Sequence, residues 1–218
     1  METSPKSLSW NSVYKILSGS IVPRPIGWVS TINSEGQPNL APFSFFNVVC
    51  ANPPTVLFCP MIRTLDGQQK DTLKNIEATG AFVINIVGGD LAGKMNATSV
   101  EAPANVNEFE FAGLTPEPSR EVKPPRVAES PIHLECKLKQ IIEISREPGG
   151  GSVVIGTVVH IHVEQHVLVG EDKINLSALN PVGRLAGNLY ARMTDVFEME
   201  RPPSKSAESQ CDIIWGSC

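Results

Sequence analysis

Three stretches of this sequence carry residue types and spacings that can support chemistry. His160-Ile161-His162 is followed by Glu164 and His166. On a strand, alternate residues share a face, so these four side chains can converge as metal ligands do. The plainer reading is the exposed face of a long strand, with Val159, Ile161 and Val163 facing the core. Gly88-Gly89-Asp90-Leu91-Ala92-Gly93-Lys94 fits GxxxxGK after an apolar run. A phosphate loop of that type needs Ser or Thr next, to hold magnesium, and Met95 stands there. That run therefore reads as a strand-to-helix turn. No GxSxG occurs, and no carboxylate pair stands out. A chain with so little acid–base machinery is one in which a bound cofactor can supply the reactivity.

The third stretch, Arg24 to Pro54, suits a flat cofactor with a polar edge. Asn39, Ser44 and Asn47 offer polar groups for the edge of an isoalloxazine ring, and Trp28, Phe43, Phe45 or Phe46 offer an apolar face. A phosphate wants hydroxyls, a cation and a helix N-terminus. Ser30, Thr31, Lys70 and Thr72 fit, the last two opening a predicted helix. The competing reading is a pair of core strands whose Ser and Asn satisfy turn backbone. Residue types alone leave both open.

The elements that must position these groups follow from pattern. Ile26–Ile32 is an apolar strand, Asn33 to Pro38 a tight turn, and a second strand runs on towards Pro53-Pro54. Leu8–Leu17 is amphipathic, and Val56–Cys59 and Ala81–Val87 read as buried strands. Met61 to Gln69 is a polar loop, and Asp71 or Thr72 caps a helix carrying Leu73 and Ile76. Residues 90–112 read as helical or irregular, and Pro116 to Pro131, with five prolines, as a surface connection. His133–Ser145 and Ser152–Val169 flank Pro148-Gly149-Gly150-Gly151, which predicts a hairpin. Few βαβ repeats and many strands favour a closed antiparallel barrel over a doubly wound sheet.

Composition bounds the rest. The 218 residues suit one domain, 1–203, followed by a tail, 204–218, in which Ile213-Ile214-Trp215 is the apolar part. A net charge of −5 argues against nucleic acid or an anionic membrane as partner. No apolar run approaches the roughly 20 residues of a membrane span, and the N-terminus lacks a signal-peptide core. Five scattered cysteines without a CxxC pair fit a cytoplasmic location. Cys50 and Cys59 read as buried small hydrophobes.

The pattern RPIGWVSTINSEGQPNLAPFSFFNVVCANPP, then KDTLKNI, FVINIV, NEFEFAGLTP and PVGRLAGNLYARMTDVFEMERP, resembles the flavin reductase-like family of FMN-binding split barrels over residues 15 to 203. The resemblance implies a mainly β fold: a six-stranded antiparallel split β-barrel (Greek key) with a few peripheral helices. It implies a homodimer with one FMN per subunit near the interface. By position, the ring meets Ala41, Pro42, Phe43, Ser44, Phe45, Phe46 and Asn47, and the phosphate meets Ser30 or Thr31 with Lys70, Asp71 and Thr72. Arg24, Arg184 and Tyr190 fall in matching segments at the site or its dimer rim. Reductases resembling this family often carry a His where this chain has Gly151-Ser152, and His160 or His162 is the available substitute. The activity implied is hydride transfer from NAD(P)H to FMN and onward to a flavin or a protein acceptor. A non-catalytic electron carrier and a metal-dependent barrel enzyme are the alternatives.

Overall fold

The computed structural model describes residues 2–103 and 106–202, so the expected tail and its cysteines lie outside the described residues. After helix α1 (Trp10–Ser20) the chain enters strand β1 (Gly27–Ile32) and turns back into β2 (Pro38–Phe43). Asn33 builds that turn, its Oδ1 accepting from the N–H groups of Glu35 and Gln37. Gly36 completes it at φ +82°, where a β-carbon would be strained. Strands β3 (Phe46–Ala51), β4 (Pro54–Phe58), β5 (Ala81–Ile86), β8 (Ile132–Ser145) and β9 (Gly151–Val163) complete one antiparallel sheet, ordered β2-β1-β5-β8-β9-β4-β3.

That order dictates the shape. Strands β2 and β3 are the two edges, yet only Ser44 and Phe45 separate them in the chain. Three Cα steps reach about 11 Å. Seven strands laid flat would hold their edges about 28 Å apart. The sheet must therefore curl until its edges meet at this crossover and diverge beyond it, which is a split barrel. The expected mainly β fold is borne out, with seven strands in the sheet where the resemblance implied six. Register shifts at Glu135/Cys136, Leu138/Gln140 and Glu143/Ser145 on β8, and at Val48/Cys50 on β3, mark bulges that bend the ribbon.

Phe43, Phe58 and Phe82 meet inside the barrel, with ring centroids 4.9 and 5.4 Å apart along the chain of contacts. Helix α2 (Asp71–Thr79) adds Leu73 and Ile76 to that core and ends at Gly80, φ +70°. Gly156 is needed here, because a β-carbon would stand 2.4 Å from Phe82 Cζ. A second cluster on the other side of β1 joins Trp28 and Leu40 to Met95 of α3 (Ala92–Ala97) and Phe109 of α4 (Glu108–Phe111). Strand β1 is thus buried on both faces, Ser30 and Thr31 included, which explains why it carries no charged residue.

The proline-rich connection holds only a two-residue pair, β6 (Pro116–Glu117) and β7 (Arg126–Val127). Prolines have no N–H to give, so buried side chains of the barrel fasten it instead. Asn85 Oδ1 accepts from Val127 N–H at 2.8 Å, and Ser30 donates to the Pro125 carbonyl at 2.5 Å. His133 Nε2–H donates to Val127 O at 2.8 Å, and burial lowers the pKa of this ring, keeping it neutral. Glu135, fully buried, accepts from the N–H groups of Arg120, Glu121 and Val122 and from His162 Nε2 at 2.6 Å. Burial opposes its ionisation, but these donors outweigh it and hold its pKa below the ordinary value.

Several expectations need correction. The second strand, expected to run on towards Pro53-Pro54, is two, β2 and β3, because the chain crosses between the sheet edges at Ser44 and Phe45. Strand β9 stops at Val163 rather than Val169, because its next partner on β8's side is Pro131, which accepts from Glu164 N–H but has no N–H to give back, and Gln165–Val167 then forms a 3₁₀ turn. Val159 and Ile161 face outward, while Val158 is buried and His162 reaches Glu135. Cys50 is exposed, because β3 is an edge strand, and its thiol donates to Pro53 O; Cys59 is half-buried and Cys136 buried. Beyond β9, the pair β10 (Leu168–Val169) and β11 (Lys173–Ile174), helix α5 (Leu176–Leu179) and the pair β12 (Val182–Arg184) and β13 (Tyr190–Arg192) lead to the last described residues.

Asn85→Ala removes the acceptor of Val127 N–H and the amide that donates to Trp28 O and Ser30 Oγ. Unfolding in urea is expected to show a loss of roughly 2–3 kcal/mol, the cost of leaving a buried donor unpaired. A loss within the error of the midpoint would show that the connection is fastened elsewhere.

Candidate functional site

A pocket opens where β2, the start of α2 and the segment before α4 converge. Asn39, Ala41, Pro42 and Phe43 line one side and Lys70, Asp71 and Thr72 the other. Arg63 from the loop after β4, residues 98–102, and Glu108 close it. Alternation along β2 sends Leu40 and Phe43 into the two cores and leaves Asn39 and Ala41 half-buried at the opening.

Asn39 is the hinge of the polar network. Its Oδ1 accepts from Thr72 Oγ1 at 2.9 Å and from Thr31 Oγ1 at 3.3 Å. Its Nδ2 donates to both oxygens of Glu108 at 3.1 and 3.2 Å, and Leu40 N–H adds a further bond to that carboxyl. Burial raises the Glu108 pKa; the Leu40 and Asn39 donors oppose this, and the charge of Asp71 reinforces it. Two cations face these acids. Arg63 stands 3.4 Å from Asp71, and Lys70 stands 3.6 Å from Glu101. Arg63 Nε is buried without a hydrogen-bond acceptor; Asp66 lies 3.4 Å away but off the N–H direction. Lys70, not Asp71 or Thr72, is the N-cap of α2, and it offers no capping side chain to the first-turn N–H groups. The pocket therefore pairs hydrogen-bond donors lacking partners with two cations, an arrangement suited to a phosphate beside a polar-edged ring.

The predicted site residues fall into separate places. Asn39, Ala41, Pro42, Phe43, Lys70, Asp71 and Thr72 come together. Trp28, Ser30 and Thr31 do not, since all three are fully buried. Trp28 Nε1 donates to Thr98 Oγ1, Ser30 to Pro125 O, and Thr31 is held by Asn39 and Asn75. Ser44 and Phe45 sit at the edge crossover, where Arg24 contacts both: its Nε lies 3.4 Å from Ser44 Oγ and its guanidinium 5.7 Å from the Phe45 ring. Arg24 is itself buried and donates to the carbonyls of Ser18, Ile21 and Leu185, so it clasps α1 and the β12 region to the crossover. Phe46 packs over Gly27 beside an apolar groove, and Asn47 Oδ1 is taken by Val48 N–H. Arg184 and Tyr190 hydrogen-bond each other, and Tyr190 donates to Asn96.

The other two motifs separate from this pocket. Lys94 of GxxxxGK donates to Gly113 O, and Gly89 packs against Asn180, where a β-carbon would stand 2.4 Å from Nδ2. His160 and His162 are in contact, but His166 lies on the 3₁₀ turn and His162 is bonded to Glu135. Among the described residues no group of three or more His, Cys, Asp or Glu is placed to hold a metal. Gly151-Ser152 begins β9, so His162 lies about 33 Å of strand away and does not stand in for a histidine there. Sequence reasoning missed Arg63, Glu101 and Glu108. Asn107 capping α4 just ahead of Glu108 was the available signal, whereas Arg63 and Glu101 belong to loops without a periodic pattern.

Residues 18–173 match the family described as "Flavin reductase like domain". A protein of Aquifex aeolicus is 42% identical over 192 residues, covering 88% of this chain and 95% of the relative. Among solved structures, nitrilotriacetate monooxygenase component B from Bacillus cereus is 35% identical with a TM-score of 0.86, covering 91% of this chain and 98% of its own. The 2-nitrobenzoate 2-nitroreductase of Pseudomonas fluorescens is 32% identical with a TM-score of 0.83, covering 93% and 96%.

A carboxyl whose folded pKa is raised contributes stability that is full below its unfolded value and lost as pH rises through the folded one. Wild type is therefore expected to lose stability relative to Glu108→Gln as pH climbs from 4.5, the ordinary value, towards neutrality. Urea midpoints of both proteins across this range check it; a pH-independent difference would show that Glu108 does not titrate there.

Proposed function

The chain belongs to the flavin reductase-like family, and from that premise we propose that it is an FMN-dependent oxidoreductase drawing electrons from NAD(P)H and passing them to a flavin or another acceptor. The observation that carries this reading is the pocket itself: Ala41–Phe43 line one side of it, and Arg63, Lys70 and the start of α2, which has no side-chain cap, line the same pocket. The donor set fits FMN, since the Lys70 ammonium lines the pocket beside the first-turn N–H groups of α2, which no side chain caps, and both suit an anionic acceptor. FMN held by these residues would supply the redox chemistry, hydride acceptance and electron release.

The chain's own residues bind and orient. Lys70, as the resemblance implied, and Arg63 hold the phosphate, Arg63 standing where Ser30 or Thr31 was expected. Asn39 fixes the ring end by tying β2 to Thr72 and Glu108. Arg24 sets the Ser44–Phe45 crossover beside the ring wall. The homodimer belongs to the same proposal: Val48 and Val49 on β3 and Ile161 on β9 leave apolar surface for a second copy. Among the described residues no helix is long and apolar enough to cross a membrane.

One observation favours a second reading, the electron carrier. The start of β9 offers no imidazole, and Gly151 is sterically required, because a β-carbon there would stand 2.6 Å from the Pro60 carbonyl.

The FMN-loaded protein is expected to oxidise NADH or NADPH at steady state. Lys70→Ala is expected to weaken FMN about 10- to 100-fold, the worth of a charge-assisted bond, while leaving riboflavin affinity unchanged. A yellow protein that turns over neither nucleotide selects the carrier, and a colourless one that ignores added FMN removes the flavin reading altogether.

A further inference from the structure

The anion cradle of the pocket already holds a carboxylate. Glu101 Oε1 accepts from Thr64 N–H at 3.3 Å and stands 3.6 Å from Lys70 Nζ. Its Oε2 accepts from Leu65 N–H at 3.2 Å. Two consecutive backbone donors and an ammonium thus converge on one acidic side chain, and that side chain lines the pocket. Arg63, immediately before these donors, is turned to Asp71 and Ala102 O.

We infer that Glu101 is a specificity-determining residue, an internal competitor that occupies the donors of the ligand's phosphate and sets how tightly a phosphorylated flavin is held. The inference rests on reading this pocket as a flavin-phosphate site. A carboxylate carries one charge and two acceptor oxygens, whereas a phosphate monoester carries nearly two charges and three. The phosphate therefore competes with Glu101 for Lys70, the one of these three donors that itself lines the pocket. Its affinity is reduced by the contacts that Glu101 gives up and by the carboxylate left nearby. Asp66 and Asp71 each stand 3.4 Å from Arg63, and Asp71, Glu101 and Glu108 line the pocket against Arg63 and Lys70, so the pocket carries more acids than bases and does not retain anions without selection. The consequence is an FMN that exchanges, as a flavin shared with an acceptor must, while riboflavin, which lacks the phosphate, is indifferent to Glu101.

Titration calorimetry of full-length wild type and Glu101→Gln with FMN, riboflavin and inorganic phosphate, at one ionic strength, tests this. Glu101→Gln is expected to bind FMN and inorganic phosphate about tenfold more tightly and riboflavin equally. Unchanged or weaker FMN binding overturns the inference, and so does an equal tightening of riboflavin, which would make Glu101 a plain wall. If neither protein takes any flavin, the flavin reading itself fails, and the phosphate titration still decides Glu101: tighter phosphate in the variant supports the competitor, and no difference overturns it. Should Glu101→Gln not fold, Glu101→Asp, whose shorter stem withdraws the charge from Thr64 and Leu65, is expected to give a smaller gain in the same direction, and no gain overturns it.

Discussion

The structure depends on a two-residue tether. Ser44 and Phe45 join strands that lie at opposite edges of a seven-stranded sheet, and no flat arrangement satisfies so short a link. Closure of the barrel, the bulges along β8 and the glycine beneath Phe82 are all ways of meeting that one demand. Arg24 guards the tether by binding carbonyls from α1 and from the β12 region together with Ser44. The pocket lies along the strand that leads into the tether, so the geometry that closes the fold also places Ala41, Pro42 and Phe43.

Closing a sheet with so many polar connections around it sets a second problem, which the chain solves with buried side chains. Ser30, Asn85, His133 and Glu135 lie on three neighbouring strands and face one proline-rich segment. Each donor or acceptor meets backbone of that segment, so polar groups inside the protein are satisfied rather than merely tolerated. Of the two hydroxyls that suggested a phosphate site on β1, Ser30 fastens this segment and Thr31 is bonded to Asn39 and Asn75.

Much of the fold was legible in the sequence. The runs at 26–32, 56–59 and 81–87 and the turn at Asn33–Gly36 all appear as expected, because apolar continuity and turn chemistry are local signals. The end of β9 was not legible, since it depends on Glu164 meeting Pro131, a partner more than thirty residues away. Half of the pocket was readable from Asn39–Phe43 and Lys70–Thr72, which lie close together in motifs. Arg63, Glu101 and Glu108 gain their roles only when two loops and the start of α4 pack together. The burial of Trp28, Ser30 and Thr31 follows from the central position of β1, and strand order is not written in the residues of one strand.

The amide of Asn39 binds Thr72 through its oxygen and Glu108 through its nitrogen, so one planar group ties α2 to α4 across the pocket. Its two ends cannot turn independently. Sequence change on one wall therefore alters the background in which change on the other is tolerated, and substitutions at positions 72 and 108 should show epistasis although neither side chain is bonded to the other.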